Sequence, residues 1–413
     1  MRDKSYKWWL LAFLFVTFFL EQGTRQIFGA TLPQIKLDFS ALGVTDTQLG
    51  MVGSVFGAVF GVVLVGSGLA ADFIGRKRVL VFGTLLFSIG VLGSGFASGL
   101  GAMVVCYGVL NAMGQCCVAP PCYSLISQYH DTSTRSTAMG IFQSAVYLGI
   151  VVTSVCAGAL SDMGAGGWRR AFWLFGGIGV AWALVMQLGM RNTRQVAAEG
   201  GASIKDAFLA LLTKPTAILI AVAFGMFMYA SLGIRLWMTP FIVREFHVST
   251  ASAAFHGVFW INIGSLVGLM VSARLVDRFG RGRPRIRLDV SALGFFLCVL
   301  PMVWLSRVTG LVECCVAMTA LGLTIGVYEA AHYPAMFDCI APRYRSATTG
   351  LTGCWAFVFG SAAPAVLGWM SETFTLRTGF LSLSAFYLAG AVALLPAIVW
   401  FFRKDYIPQD GAQ

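Results

Sequence analysis

Residues 68 to 80 read Gly68-Leu69-Ala70-Ala71-Asp72-Phe73-Ile74-Gly75-Arg76-Lys77-Arg78-Val79-Leu80, a basic turn set between two long apolar runs. A second copy of its centre, Asp277-Arg278-Phe279-Gly280-Arg281, stands 205 residues later. Two more markers keep nearly that spacing. Pro33-x-Ile35-x-x-Asp38-Phe39 returns as Pro240-x-Ile242-x-x-Glu245-Phe246 at an offset of 207, and Arg135-Ser136-x-x-x-Gly140 returns as Arg345-Ser346-x-x-x-Gly350 at 210. Three markers holding almost one offset mean that the second half of the chain duplicates the first.

Between the markers the sequence is apolar. Of 413 residues, 57% are hydrophobic and 11% charged, whereas a soluble globular chain carries roughly a quarter charged residues. That balance excludes a water-soluble enzyme. At ~20 residues per membrane-crossing helix, the apolar content fills about twelve spans. Bounded by charged and turn residues, they run approximately 8 to 32, 48 to 71, 79 to 98, 101 to 126, 136 to 160 and 171 to 190, then 215 to 241, 250 to 273, 287 to 305, 311 to 334, 346 to 370 and 380 to 402. The expected fold is an all-α membrane protein of twelve transmembrane helices in two pseudo-symmetric six-helix bundles. Residues 1–190 make the N-terminal bundle, 191–214 a cytoplasmic linker, 215–403 the C-terminal bundle and 404–413 a cytoplasmic tail. An even number of spans per repeat keeps both halves in one orientation, and binding sites in such proteins lie between the halves near the midplane.

Arg2, Lys4 and Lys7 ahead of the run Trp8 to Leu20 imitate a signal peptide, but no small-residue cleavage site follows, so the run reads as an uncleaved first span. Most of the 29 lysines and arginines fall in loops on the face that carries the N-terminus. By the positive-inside rule both termini are expected in the cytoplasm, with the chain in the cell inner membrane. The cluster Arg278, Arg281, Arg283, Arg285 and Arg287 belongs to that pattern, so the net charge of +11 sets topology and no nucleic-acid partner is expected. The ten cysteines lack paired C-x-x-C spacing and read as small core residues, neither a disulfide framework nor a metal site. Neither H-E-x-x-H, a phosphate loop nor a nucleophile elbow is present, so neither enzyme nor cofactor is expected.

The stretch Gly68 to Leu80 resembles the signature loop of the major facilitator superfamily, G-x-L-a-D-r-x-G-r-k-x-x-l, at Gly68, Asp72, Gly75, Arg76, Lys77 and Leu80. Phe73 and Ala70 depart from it. The resemblance extends over essentially the whole chain, and it implies that Asp72, Gly75 and Arg76, with Asp277, Gly280 and Arg281 in the second copy, latch one conformation. A topology loop alone is the plainer reading. Gly75 is expected to take a positive φ at the reversal.

Ionisable groups inside the spans are the candidate site, since a charge at the bilayer centre costs ~3 kcal/mol. Glu21 and Arg25 lie one turn apart in span one and can pair at i, i+4. Arg25-x7-Pro33-x-Ile35-x-x-Asp38-Phe39 resembles the first span of the anion:cation symporter branch, and the spinster-like lipid transporters share the pattern. In that branch the arginine faces the cavity and grips a substrate carboxylate, which the resemblance carries to Arg25. Thr24 and Gln22 stand where the pattern has an acid and a tyrosine. Arg235 in span seven, five residues before Pro240, is a second candidate anion ligand; for both arginines the alternative is pairing within the protein.

Glu329 and His332 of span ten are candidate proton carriers together with Glu21; the alternative for the span-ten pair is simple solvation. Asn111 and Gln115, one turn apart in span four, either bind substrate or hold helices together. Tyr229 is a candidate pocket wall, with packing as the alternative. Leu110 takes the place of an arginine found in many of the superfamily, and the exporters' span-five Gly-Pro motif is absent after Gly149. The expected function is secondary active transport of a small organic anion, a carboxylate, by proton-coupled symport. Export of an amphiphile, lipid or drug, and a non-transporting sensor or scaffold, are the alternatives. Expected partners are the anion, protons and membrane lipids, with the chain a monomer.

Overall fold

A computed structural model describes residues 6–131, 133–191, 204–280, 283 and 285–407. Among them there is helix and no strand, as backbone buried in hydrocarbon requires, because a helix satisfies its own N–H and C=O groups. The first six long helices are α1 (Tyr6–Asp38), α2 (Asp46–Ile74), α3 (Arg76–Gly95), α4 (Leu100–Tyr129), α5 (Arg135–Ser161) and α6 (Gly167–Gly189). The second six are α7 (Pro215–Phe246), α8 (Thr250–Gly280), α9 (Ile286–Leu305), α10 (Leu311–Phe337), α11 (Pro342–Thr373) and α12 (Leu376–Asp405). Among the described residues, 11 of these are long and apolar enough to cross a membrane. Helix α1 is left out for a physical reason: Glu21, Gln22, Thr24 and Arg25 interrupt its apolar run, although its 33 residues are ample in length. The multi-pass, twelve-helix fold expected from the sequence is what the chain adopts.

The chain divides into two compact units, Met1–Ala198 with Arg235–Val258, and Glu199–Ile234 with Phe259–Gln413. In the first unit α1 lies along α5, and α3 packs against α4 and α6. Leu14, Phe18, Phe87, Leu125, Phe142 and Met186 fill part of its core, with the Phe18 and Phe142 rings stacked at 4.3 Å. In the second unit α9 packs against α10 and α12, the same pairing at the same place in the repeat. Segment 235–258 is fastened to the rest of the first unit by charge. Asp46, in the first turn of α2, accepts from both Nη atoms of Arg244 at 2.7 and 2.9 Å and pairs with Lys36 at 2.7 Å. Asp162 accepts from the first backbone N–H groups of α8, Thr250 at 3.1 Å and Ala251 at 2.9 Å, which have no partner within their own helix.

The duplication is visible at atomic detail. Arg135 donates through Nε to the His130 carbonyl at 3.3 Å and through Nη2 to the Ser127 carbonyl at 3.0 Å. Arg345 does the same to Ile340 at 3.3 Å and Phe337 at 2.9 Å, again five and eight residues back. Each closes the carbonyl end of the preceding span, where the last turn of a helix lacks donors. Nearby, Arg76 donates to Gln128 at 2.7 Å, and in the second half Arg287 donates to Asp338 at 2.6 Å. Arg135→Ala and Arg345→Ala are each expected to cost about 1 kcal/mol, read as a lower unfolding midpoint in detergent; an unmoved midpoint in both would remove the capping role.

At the signature loop, Gly75 has φ of 105°, the positive value the reversal needs. Lys77 then reaches the closing carbonyls of α6, Gln187 at 2.8 Å and Met190 at 2.6 Å. Arg281 lies outside the described residues, as do the side chains of Asp72 and Asp277. Within the stretch read as a linker, Ile204–Leu212 forms a helix whose Ala207 and Leu211 are buried against α11. Nine residues with two inward apolar positions are too short a pattern to stand out beside spans of thirty.

Candidate functional site

The polar residues of α1 and α4 meet inside the first unit. Glu21 and Arg25, four residues apart and therefore on one face of α1, form an ion pair through Glu21 Oε1 and Arg25 Nη2. Arg25 Nε donates to Gln115 Oε1 at 2.9 Å, and Gln115 Nε2 donates in turn to Asn111 Oδ1 at 2.9 Å and to Thr24 Oγ1 at 3.3 Å. From the same face of α4, Tyr107 donates its hydroxyl to the Arg25 carbonyl at 2.7 Å. The guanidinium lies over the Phe60 ring at 4.5 Å, a contact that favours the cation in a dry setting.

The network is incomplete on one side. Glu21 Oε2 and Asn111 Nδ2 are buried without a hydrogen bond, and Arg25 Nη1 makes none among the described residues. Side-chain exposure is 2% for Glu21 and 19% for Arg25, so the arginine is the less buried of the two. A guanidinium has five donors in one plane. Two directions are spent on Glu21 and Gln115, which leaves the Nη1 edge able to take a second carboxylate.

The backbone of α4 is shaped around this cluster. From Val104 to Asn111 it widens to a π-helix, a departure found mostly at functional sites, and it carries both Tyr107 and Asn111 there. Helix α3 comes close to that segment through Gly90, where a Cβ would stand 2.6 Å from the Asn111 nitrogen. Arg235, exposed on α7, belongs to the same unit, and its carbonyl faces Gly29, one turn beyond Arg25.

Glu329, His332 and Tyr229 belong to the second unit. Glu329 of α10 accepts from Ser265 Oγ of α8 at 3.0 Å. His332 is buried, with ring centres of Tyr333 at 4.2 Å, Phe224 at 4.4 Å and Tyr328 at 5.2 Å, and neither ring nitrogen has a hydrogen bond. No hydrogen bond therefore joins it to Glu329. Tyr229 is 6% exposed and stacked on Phe386 at 3.8 Å. The structure thus brings Glu21, Arg25, Asn111 and Gln115 into one network.

Sequence reasoning passed over Tyr107, Phe60 and Ser265, and gave Thr24 no bonding role. For Tyr107 a signal was present: positions 107, 111 and 115 recur every four residues and mark one polar stripe. Ser265 had none, being one of three serines in an apolar helix.

The family model described as Major Facilitator Superfamily matches residues 14–364. An MFS-type efflux pump of Mycolicibacterium smegmatis is 25% identical, over 89% of this chain and 87% of that protein. A cis,cis-muconate transport protein of Acinetobacter baylyi is 23% identical, over 98% of this chain and 97% of that protein. Among solved structures, a bacterial homologue of the human lysosomal transporter Spinster, inward-facing and unoccupied, superposes with a TM-score of 0.86 at 19% identity, covering 98% of this chain and 100% of its own.

Proposed function

Since the chain belongs to the major facilitator superfamily, we propose that it is a secondary active transporter that carries a small organic anion across the cell inner membrane by alternating access, coupled to protons. The observation that carries this is Arg25 Nη1, unbonded among the described residues, on a guanidinium at 19% exposure in the middle of a membrane helix. A carboxylate is the group that completes it, by charge and by planar geometry. The relative named for transport of cis,cis-muconate, a dicarboxylate, supports the same chemistry.

In this scheme Arg25 binds the substrate carboxylate, with Gln115, held by Asn111, fixing the plane of the guanidinium. Arg235 is the second anion ligand and Tyr229 a wall of the pocket. Glu21 competes with substrate for Arg25, so a proton on Glu21 frees the arginine and favours loading. Glu329, held by Ser265, is a second proton carrier, and His332 sits three residues away on the same helix. Residues 1–190 and 215–403 act as the two rocking halves, joined by 191–214 and followed by the tail 404–413, with both termini cytoplasmic and the chain a monomer. Asp72, Gly75 and Arg76, with Asp277, Gly280 and Arg281, set the balance between states.

Purified protein in a thermal-shift screen against small carboxylates, amines and lipids should be stabilised by carboxylates, since a ligand that binds only the folded state raises the midpoint. Stabilisation by amines or lipids alone would sink the anion reading. The alternative with an observation behind it is export of an amphiphile, which the mycobacterial efflux relative supports and which lipid or drug hits would favour. Glu329→Gln is expected to reduce pH-driven accumulation in proteoliposomes to simple equilibration while substrate exchange continues. Undiminished accumulation would remove Glu329 from the proton path.

A further inference from the structure

In the second unit a cavity of about 620 Å³ opens where α9 begins and α12 ends. Arg283, Arg285 and Arg403 line it, against a single carboxylate, Asp289, which accepts from Arg285 at 3.2 Å. Arg283 and Arg403 pair with no described residue. The neighbouring Arg287, by contrast, is turned to Asp338 at 2.6 Å and is not part of the lining. Three guanidiniums against one carboxylate leave the lining with an excess of positive charge, a grouping that self-repels unless an anion sits among them.

The cavity has an apolar side. Phe402, 3% exposed, and Tyr406 line it with ring centres 5.7 Å apart. One turn earlier on α12, Val399 and Trp400 are 62% and 65% exposed, and a π-helical turn at Ala397–Phe401 precedes the lining residues. The apolar run of α9 starts at Ile286 and that of α12 runs out by Asp405, so the arginines stand at headgroup depth and the exposed residues at acyl depth. A soluble anion uses only the first of these features. A lipid uses both.

We infer that this cavity is a binding site for the phosphate ester headgroup of an anionic phospholipid, held by Arg283, Arg285 and Arg403 with its glycerol and upper acyl carbons against Phe402 and Tyr406. Basic pockets between membrane helices at the interface take such headgroups. The site is independent of the substrate reading and uses none of its residues.

Native mass spectrometry of the full chain in detergent, supplied with phosphatidylglycerol or phosphatidylcholine, tests it. Phosphatidylglycerol should be retained in preference, one molecule per chain. Arg283→Gln and Arg403→Gln should each weaken retention about fivefold, the worth of one basic residue at an anionic surface. Both side chains are exposed, so folding should survive; Arg283→Lys with Arg403→Lys, which keeps the charges, should still hold lipid. Arg343→Gln, on the exposed arginine stacked over Tyr344 at 4.6 Å, should change nothing. Equal retention of the two lipids, or unchanged retention in both Arg283→Gln and Arg403→Gln, would overturn the site. If millimolar inorganic phosphate displaces the lipid and stabilises the protein by itself, the ligand is a free phosphate and the lipid assignment is wrong.

Discussion

Arg25→Gln is expected to abolish carboxylate uptake in proteoliposomes. Two charge-assisted hydrogen bonds to the substrate are lost, worth about 2 to 3 kcal/mol, which is roughly a 30- to 150-fold loss of affinity. The same change strands Glu21, a carboxyl at 2% exposure whose ion-pair partner is that arginine. Leaving a buried charge unpaired costs about 3 to 5 kcal/mol, enough to confuse a transport defect with misfolding. The double variant Glu21→Gln with Arg25→Gln separates the two, because an amide facing an amide restores the fold without the positive charge. It should recover the unfolding midpoint and stay inactive, while Arg25→Lys should keep part of the uptake with poorer selectivity for planar carboxylates. Full uptake by a folded Arg25→Gln protein would end the proposal that this guanidinium grips the cargo.

The second large effect is structural. Asp46, 3% exposed at its side chain, is shared by Lys36 and Arg244, so Asp46→Asn leaves two cations facing each other around an amide that accepts poorly. Because both cations are partly exposed, at 39% and 33%, about 2 to 3 kcal/mol is a fairer cost than the full buried-pair figure. The loss should appear locally, as hydrogen exchange in peptides covering 235–258 that is roughly 30-fold faster or more, with the α3 and α6 core unchanged. Uniform acceleration over the whole first unit would mean that the contact supports global stability instead. Asp162, at the start of α8, gives the segment a second anchor, so it should loosen and not detach.

Much of the fold was legible because its signals are long and periodic. Twelve apolar runs and three markers at one offset need no tertiary knowledge, and Arg135 with Arg345 turned out to be the same cap built twice. The candidate site was legible only where partners are near in sequence. Glu21 with Arg25, and Asn111 with Gln115, are one turn apart and pair as helix geometry allows. The bond from Arg25 to Gln115 crosses 90 residues, and that from Ser265 to Glu329 crosses 64, distances at which composition and spacing are silent. The π-helical turn of α4 leaves no mark in a hydrophobic run, because a lone Gly108 and Asn111 among apolar residues also occur in ordinary membrane helices. The boundary of the units was equally hidden: Arg235–Val258 groups with the first through Asp46 and Asp162, residues that on paper are ordinary loop-side acids.

The paired helix-end arginines also mark what the two copies share. Between the two copies the amide of Gln128 stands against the carboxylate of Asp338, yet Arg135 and Arg345 clasp carbonyls at identical steps back along the chain. What both copies keep is a fastener, while the panels it joins differ from one copy to the other.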